Sequence, residues 1–281
     1  MKKIIVTGCN GQLGRALNQV YAGSSEVECV NTDVAELDIT NIDAVMKLVR
    51  EVKPYAIVNC AAHTNVNACE SQVDSAYRIN AIGPRNLSIA ATETGAKLVQ
   101  VSTDYVFPGN GTRPYTEFDA VGPQSVYGAS KLAGENFVRD FAQNYFIIRT
   151  AWLYGDGNNF AKTMLKLAET NDTVSVVMDQ VGTPTSAMEL ARAIAYLLPT
   201  ENYGLFHGTC EGDCSWADFA EEVFRLAGKS TKVKRITTDE YPTPAKRPAY
   251  SILDNYMLRL TTDYQFADWH DALVEYMKTL A

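Results

Sequence analysis

Gly8-Cys9-Asn10-Gly11-Gln12-Leu13-Gly14 is the stretch on which the fold of this chain turns. It follows Lys3–Thr7, a short apolar run with strand character, and leads into residues that suit a helix. Gly8 permits a tight turn, Gly11 lets the backbone approach a bulky anion, and Gly14 leaves room for close packing of the helix. The first N–H groups of a helix have no partner within it, so Asn10, Gln12 and Leu13 stand among the glycines where a pyrophosphate would be held. Taken alone, the glycines are ordinary turn residues; with a strand before them and a helix after, they read as a dinucleotide-binding turn. Asp33 closes the next strand-like run, Val27–Thr32, about 20 residues further on, where a carboxylate accepts hydrogen bonds from ribose hydroxyls. It would also repel a 2′-phosphate, which favours NADH.

Outward from this turn the pattern alternates. Ile42–Lys53 suits a helix, Ala56–Ala61 a strand, and Ser71–Thr94 mostly helix. Lys97–Ser102 suits a strand, Ser125–Gln143 a helix and Tyr145–Thr150 a strand. Such alternation implies right-handed crossovers and an α/β fold, a doubly wound parallel sheet of the Rossmann type. Residues 1–150 are expected to form an NAD(P)-binding domain and residues 151–281 a smaller C-terminal substrate-binding domain. Helical runs at Asn159–Asn171, Ala187–Leu198, Ser215–Ala227 and near Asp268–Leu280 fill the second part, with Val174–Val177 as a strand. Gly204–His207 is expected to return to the main sheet, and the Pro-rich stretch Tyr241–Pro248 to be an ordered loop.

A net charge of -8 over 281 residues argues against a nucleic-acid or membrane-surface partner, since both favour a basic face. No apolar run approaches the length of a bilayer span. The six cysteines are scattered, as are the three histidines, so reduced thiols, no metal site and a cytoplasmic location are expected. Cys210 and Cys214 stand four apart but are not expected to pair. His63 reads as a packed or capped residue.

Tyr127-Gly128-Ala129-Ser130-Lys131 places a phenol and an ammonium on one helical face. A free tyrosine titrates near about pH 10, and a neighbouring ammonium favours the phenolate and would lower that value. Cys60-Ala61-Ala62 follows the third strand with small side chains, where a cofactor could pass closely.

Together with these segments, Asn59–Thr64, Ser102-Thr103-Asp104-Tyr105-Val106-Phe107, Arg149–Tyr154, Gly157–Phe160, Gly182–Thr185 and Arg247-Pro248 are similar to the dTDP-4-dehydrorhamnose reductases, a family of extended short-chain dehydrogenases/reductases. The resemblance implies reduction of the 4-keto group of a nucleotide-activated deoxysugar by NADPH or NADH. Tyr127 would donate the proton, Lys131 would hold the nicotinamide ribose and depress the phenol pKa, and Thr103 would hydrogen-bond the keto oxygen. Asp38, Ile39, Ala61, Ala62 and Thr64 would complete the cofactor site. Asp104, Tyr105 and Trp152 would line the sugar pocket, and Arg247 would grip the substrate pyrophosphate. Asn80 matches a family asparagine near the site, or else simply interrupts its helix.

Two rival readings come with this one. A sugar-nucleotide dehydratase or epimerase of the same superfamily is the first; dehydratases resemble this strand end but carry Asp-Glu after the Thr, where Asp104 is here followed by Tyr105. A non-catalytic subunit like the regulatory subunit of methionine adenosyltransferase is the second, and the presence of Thr103, Tyr127 and Lys131 counts against it. Some relatives dimerise through Mg²⁺ held by glutamates. Ala16 and Met188 occupy the matching places, and neither side chain can ligate Mg²⁺. A metal-independent monomer is therefore expected, with the neighbouring Glu189 as the nearest carboxylate.

Overall fold

Ile4, Ile5 and Val6 have no exposed surface, as a strand covered on both faces requires. They form the middle of β1 (Lys2–Thr7) in the computed structural model, which describes residues 1–280. The chain continues through α1 (Gln12–Val20), β2 (Val27–Thr32), α2 (Ile42–Val52), β3 (Ala56–Asn59), α3 (Val66–Ser71) and α4 (Val73–Tyr77). A π-helical turn at Arg78–Ile82 joins α4 to α5 (Gly83–Thr94). Then come β4 (Lys97–Thr103), α6 (Val126–Phe141) and β5 (Tyr145–Thr150). The second half contains β6 (Leu153–Tyr154), α7 (Phe160–Leu167), β7 (Thr173–Val177), β8 (Val181–Gly182), β9 (Thr185–Ser186) and α8 (Ala187–Leu197). It ends with β10 (Gly204–His207), β11 (Cys214–Ser215), α9 (Trp216–Leu226), β12 (Lys232–Ile236), α10 (Tyr256–Thr261) and α11 (Trp269–Lys278).

Six strands make one parallel sheet in the order β10-β5-β4-β3-β1-β2. The order reverses beside β1, and a doubly wound sheet opens its ligand crevice at the carboxyl ends of the strands at such a point. Alternation along β1 divides the core. Ile4 and Val6 pack with Leu17 of α1 and with Leu190 and Ile194 of α8 on one face. Ile5 packs with Val45 of α2, Leu87 of α5 and Val138 of α6 on the other. Residues 187–207 thus supply both a helix and an edge strand to the sheet layers, although they follow residue 150. A further apolar cluster joins Ala161 and Met164 of α7, Val174 and Val176 of β7, Phe219 and Val223 of α9, and Leu273 of α11.

The structure differs locally from the sequence reading at two places. The strand expected through Ala61 stops at Asn59, whose side chain is buried and bonded to both neighbouring strands. It accepts from Thr7 Oγ1 at 2.6 Å and donates to Gln100 Oε1 at 2.7 Å, a buried polar ladder across β1, β3 and β4. The short helix α3 was not expected; Asn65 caps it by accepting from the Ala68 N–H. All six cysteines are free.

Candidate active site

Along the carboxyl ends of β1 to β5 runs a crevice of about 980 Å³. At one end lies the glycine turn. Gly8 has φ +62°, a conformation that suits glycine, and a Cβ there would meet the Ala61 backbone at 2.8 Å. A Cβ on Gly14 would come within 2.5 Å of Cys9 Cα and 2.6 Å of Gly8 O. Gly14 does not line the crevice; it lets α1 start directly on the turn. Gly11 is the N-cap of α1 and no side chain caps that helix, whereas α2, α6, α7, α8 and α9 have Asn or Ser caps. The open N–H groups of α1 therefore face the crevice, as an anion site needs.

Gly8, Asn10, Gly11, Gln12 and Leu13 line this end, followed by Asp33, Asp38 and Ile39, then Ala61, Ala62 and Thr64. The Asp33 carboxylate is anchored facing the turn, accepting from Asn10 N at 3.1 Å and from Val34 N at 2.8 Å. Asp38 folds onto Thr40 through both its N–H and its hydroxyl. Ile39 is a core residue whose edge reaches the crevice.

The other end gathers Thr103, Asp104, Tyr105, Tyr127, Lys131 and Trp152. Ser125 caps α6 and so fixes where Tyr127 and Lys131 begin their shared face. Gly128 brings α6 against the Tyr105 carbonyl, and the Tyr105 and Tyr127 rings meet edge to face at 5.4 Å. Thr103 and Tyr127 line the same end of the crevice, and Thr103 donates to Asp104 Oδ1 at 2.8 Å. Burial pushes the Asp104 carboxyl up to about 7, against its bond to Thr103.

The Tyr127 phenol is not shifted down, as its helical spacing from Lys131 suggests, but up. Burial dominates and pushes the phenol up, and Lys131 is not among the largest influences on it. The buried ammonium instead donates to the Val101 carbonyl at 2.6 Å, and burial brings it down to about 8. The phenol therefore keeps its proton through the neutral range, as a donor must.

Arg247 stands at the rim and reaches the Tyr105 hydroxyl at 3.3 Å; burial pushes that hydroxyl up to about 12. Trp152 has φ +48°, a strained conformation for a non-glycine residue, and stacks on Trp216 with centroids 3.5 Å apart. Trp216 was not singled out in the sequence. Its one signal was the Ser215–Asp218 capping box that places it at the start of α9, but the pairing with Trp152 is non-local. Asn80 sits in the π-helical turn and holds the 61–64 segment: it accepts from His63 N at 2.8 Å and donates to His63 O and to Ser130 Oγ. The His63 ring meets Gln72 and Cys69, as a capped residue does.

Ala16 and Met188 both border a second, smaller cavity of about 380 Å³. The Glu189 carboxylate is engaged with Arg192 and with the Ala267 N–H, so it is not directed there as a ligand. Among the described residues no group of three or more His, Cys, Asp or Glu side chains could hold a metal ion, and no helix is long and apolar enough to cross a membrane.

Comparison with known proteins gives a consistent picture. The family described as RmlD substrate binding domain matches residues 1–281. The chain is 39% identical to a dTDP-4-dehydrorhamnose reductase of Aggregatibacter actinomycetemcomitans, with 97% of each protein covered. It is also 39% identical to the spore coat polysaccharide biosynthesis protein SpsK of Bacillus subtilis strain 168, covering 99% of this chain and 98% of that one. Among solved structures, a dTDP-4-dehydrorhamnose reductase of Clostridium acetobutylicum is 56% identical and superposes with a TM-score of 0.97 over 99% of both chains. The Bacillus anthracis dTDP-4-dehydrorhamnose reductase in complex with NADP is 44% identical, with a TM-score of 0.97 over 99% of this chain and 100% of that one.

Proposed function

The chain belongs to the RmlD substrate binding domain family, and on that footing we propose that it transfers a hydride from NADPH or NADH to the 4-keto group of dTDP-4-dehydro-L-rhamnose, giving dTDP-L-rhamnose. The observation that carries this reading is one continuous crevice, open to an uncapped helix N-terminus at one end and to the Thr103–Tyr127 pair at the other.

The residues present fit a dinucleotide. The first turn of α1 would hold its pyrophosphate, Asp33 the adenosine ribose, Ala61, Ala62 and Thr64 the passage toward the nicotinamide, and Lys131 the nicotinamide ribose. The chemistry such a cofactor supplies is a hydride, delivered to the keto carbon. Tyr127 gives its phenolic proton to the keto oxygen, and Thr103 hydrogen-bonds the same oxygen as negative charge grows on it. Asp104 and Tyr105 bind the sugar, the Trp152–Trp216 stack walls the pocket, and Arg247 grips the pyrophosphate of the sugar nucleotide. Incubation with NADPH or NADH and the keto-sugar nucleotide tests the proposal: the reduced sugar nucleotide must accumulate with stoichiometric oxidation of the cofactor. Elimination or epimerisation without net cofactor use would overturn it.

Two outcomes follow from individual residues. NADH is expected to serve at least comparably to NADPH, because Asp33 stands where a 2′-phosphate would lie and Val34 and Ala35, not Arg, follow it. Parallel kcat/KM measurements check this, and a preference for NADPH of about a hundredfold would mean that Asp33 does not face the ribose. With Ala16 and Met188 at the places where some relatives hold Mg²⁺, the protein is expected to be a monomer in dilute solution and fully active in excess EDTA. Light scattering with and without chelator is the check; a dimer that falls apart on chelation contradicts it.

A further inference from the structure

Tyr127, Lys131 and Glu135 stand at successive i, i+4 positions of α6, so one face of the helix carries all three. Glu135 has no exposed surface, and its carboxylate is fully engaged. Arg149 grips it twice, Nε to Oε1 at 2.8 Å and Nη2 to Oε2 at 2.7 Å, and Ser102 donates to Oε1 at 2.6 Å. Ser102 lies between Val101, whose carbonyl takes the Lys131 ammonium, and Thr103; across the sheet it is paired with Arg149. The cluster therefore ties α6 to the strand ends on which the reacting groups are mounted. Stability alone does not explain it, since well-packed apolar residues of similar volume often replace a buried ion pair without loss.

We propose that Glu135 is a positioning residue: its buried carboxylate, one helical turn beyond Lys131 and bound to Ser102 beside Val101, keeps the Lys131 ammonium seated on the Val101 carbonyl. The consequence for catalysis rests on the reading of Lys131 as a cofactor ligand. Burial drives Lys131 toward the neutral amine, Glu135 is the largest influence opposing it, and Cys60 beyond the end of β3 adds a smaller one. Tyr127 is the other titratable group on this face of α6. Arg149 from β5 and Arg139 from the next turn of α6 both bind Glu135. A lysine depressed in this way loses its charge as pH rises through its folded-state value. Removing the carboxylate brings that loss nearer neutrality.

Three variants test this. Glu135→Gln removes the charge and keeps an acceptor for Ser102. Glu135→Gln with Arg149→Met also leaves no stranded cation, and so serves if the single variant does not fold. Arg149→Met breaks the same ion pair but retains the carboxylate. The Lys131 resonance of ¹³C-lysine-labelled, cofactor-free protein, assigned by its loss in Lys131→Met, reports the titration directly. Its midpoint is expected to fall by about one pH unit in both variants lacking the carboxylate and not to fall in Arg149→Met. The alkaline loss of NADPH affinity should move with it. An unmoved midpoint in the carboxylate-free variants, or an equal fall in Arg149→Met, overturns the proposal. If the midpoints move as expected but Lys131→Met leaves the NADPH Kd unchanged, the pairing stands and the cofactor role of Lys131 is what fails.

Discussion

Tyr127→Phe is expected to lower kcat at least about a hundredfold while leaving the affinity for the reduced cofactor almost unchanged. The substitution removes one oxygen from the centre of the site and little else. The ring keeps its edge-to-face contact with Tyr105 at 5.4 Å, Thr103 keeps its bond to Asp104, and Lys131 keeps its seat on Val101. What is lost is a phenol that burial keeps protonated, at the end of the crevice that also holds the Thr103 hydroxyl. Because the effect falls on proton donation, it belongs in kcat and not in the cofactor Kd. Single-turnover rates and a fluorescence titration with NADPH separate the two, and a variant that retains most of its turnover would remove Tyr127 from the donor role.

The parts of this molecule that could be read from the sequence are those encoded by local spacing. The Gly8–Gly14 turn, the Tyr127–Lys131 pair and the bounds of β2, β5 and β10 all depend on residues within one turn or one strand of each other. Contacts formed between distant segments were not readable. The polar ladder Thr7–Asn59–Gln100 links three strands, and nothing near Asn59 announces its partners. Trp216 and Trp152 lie in segments far apart in the chain, and their stack exists only once the chain is folded. Asn80 interrupts its helix, as it could have been expected to, but its bonds to His63 and Ser130 depend on how α6 lies against the π-helical turn. The direction of the Tyr127 shift was misjudged for the same reason: helical spacing brings Lys131 near, but burial and the Val101 carbonyl decide what each group does.

Arg149→Met is expected to destabilise the protein by about 3–5 kcal/mol, since it takes both guanidinium bonds from a carboxylate with no exposed surface and leaves it Ser102 and the longer 3.3 Å contact of Arg139. Arg149 and Glu135 are 1% and 0% exposed, so solvent screening does little to soften the loss, and the Arg139 contact offsets only part of it. Methionine fills much of the volume, and the Phe107 ring that the guanidinium covers at 5.0 Å keeps a neighbour. The penalty is therefore chiefly electrostatic, and two signatures set it apart from a packing defect. Adding Glu135→Gln to Arg149→Met should recover part of the lost stability, because the uncompensated charge is then gone; cavity costs would instead add. The deficit in Tm should also narrow as pH falls, because protonating the stranded carboxylate removes its charge, and it should persist at neutral and alkaline pH where the carboxylate is ionised. Thermal melts of the wild type, the single variant and the double variant across that range decide the matter. A deficit that does not vary with pH and deepens in the double variant would assign Arg149 to packing alone.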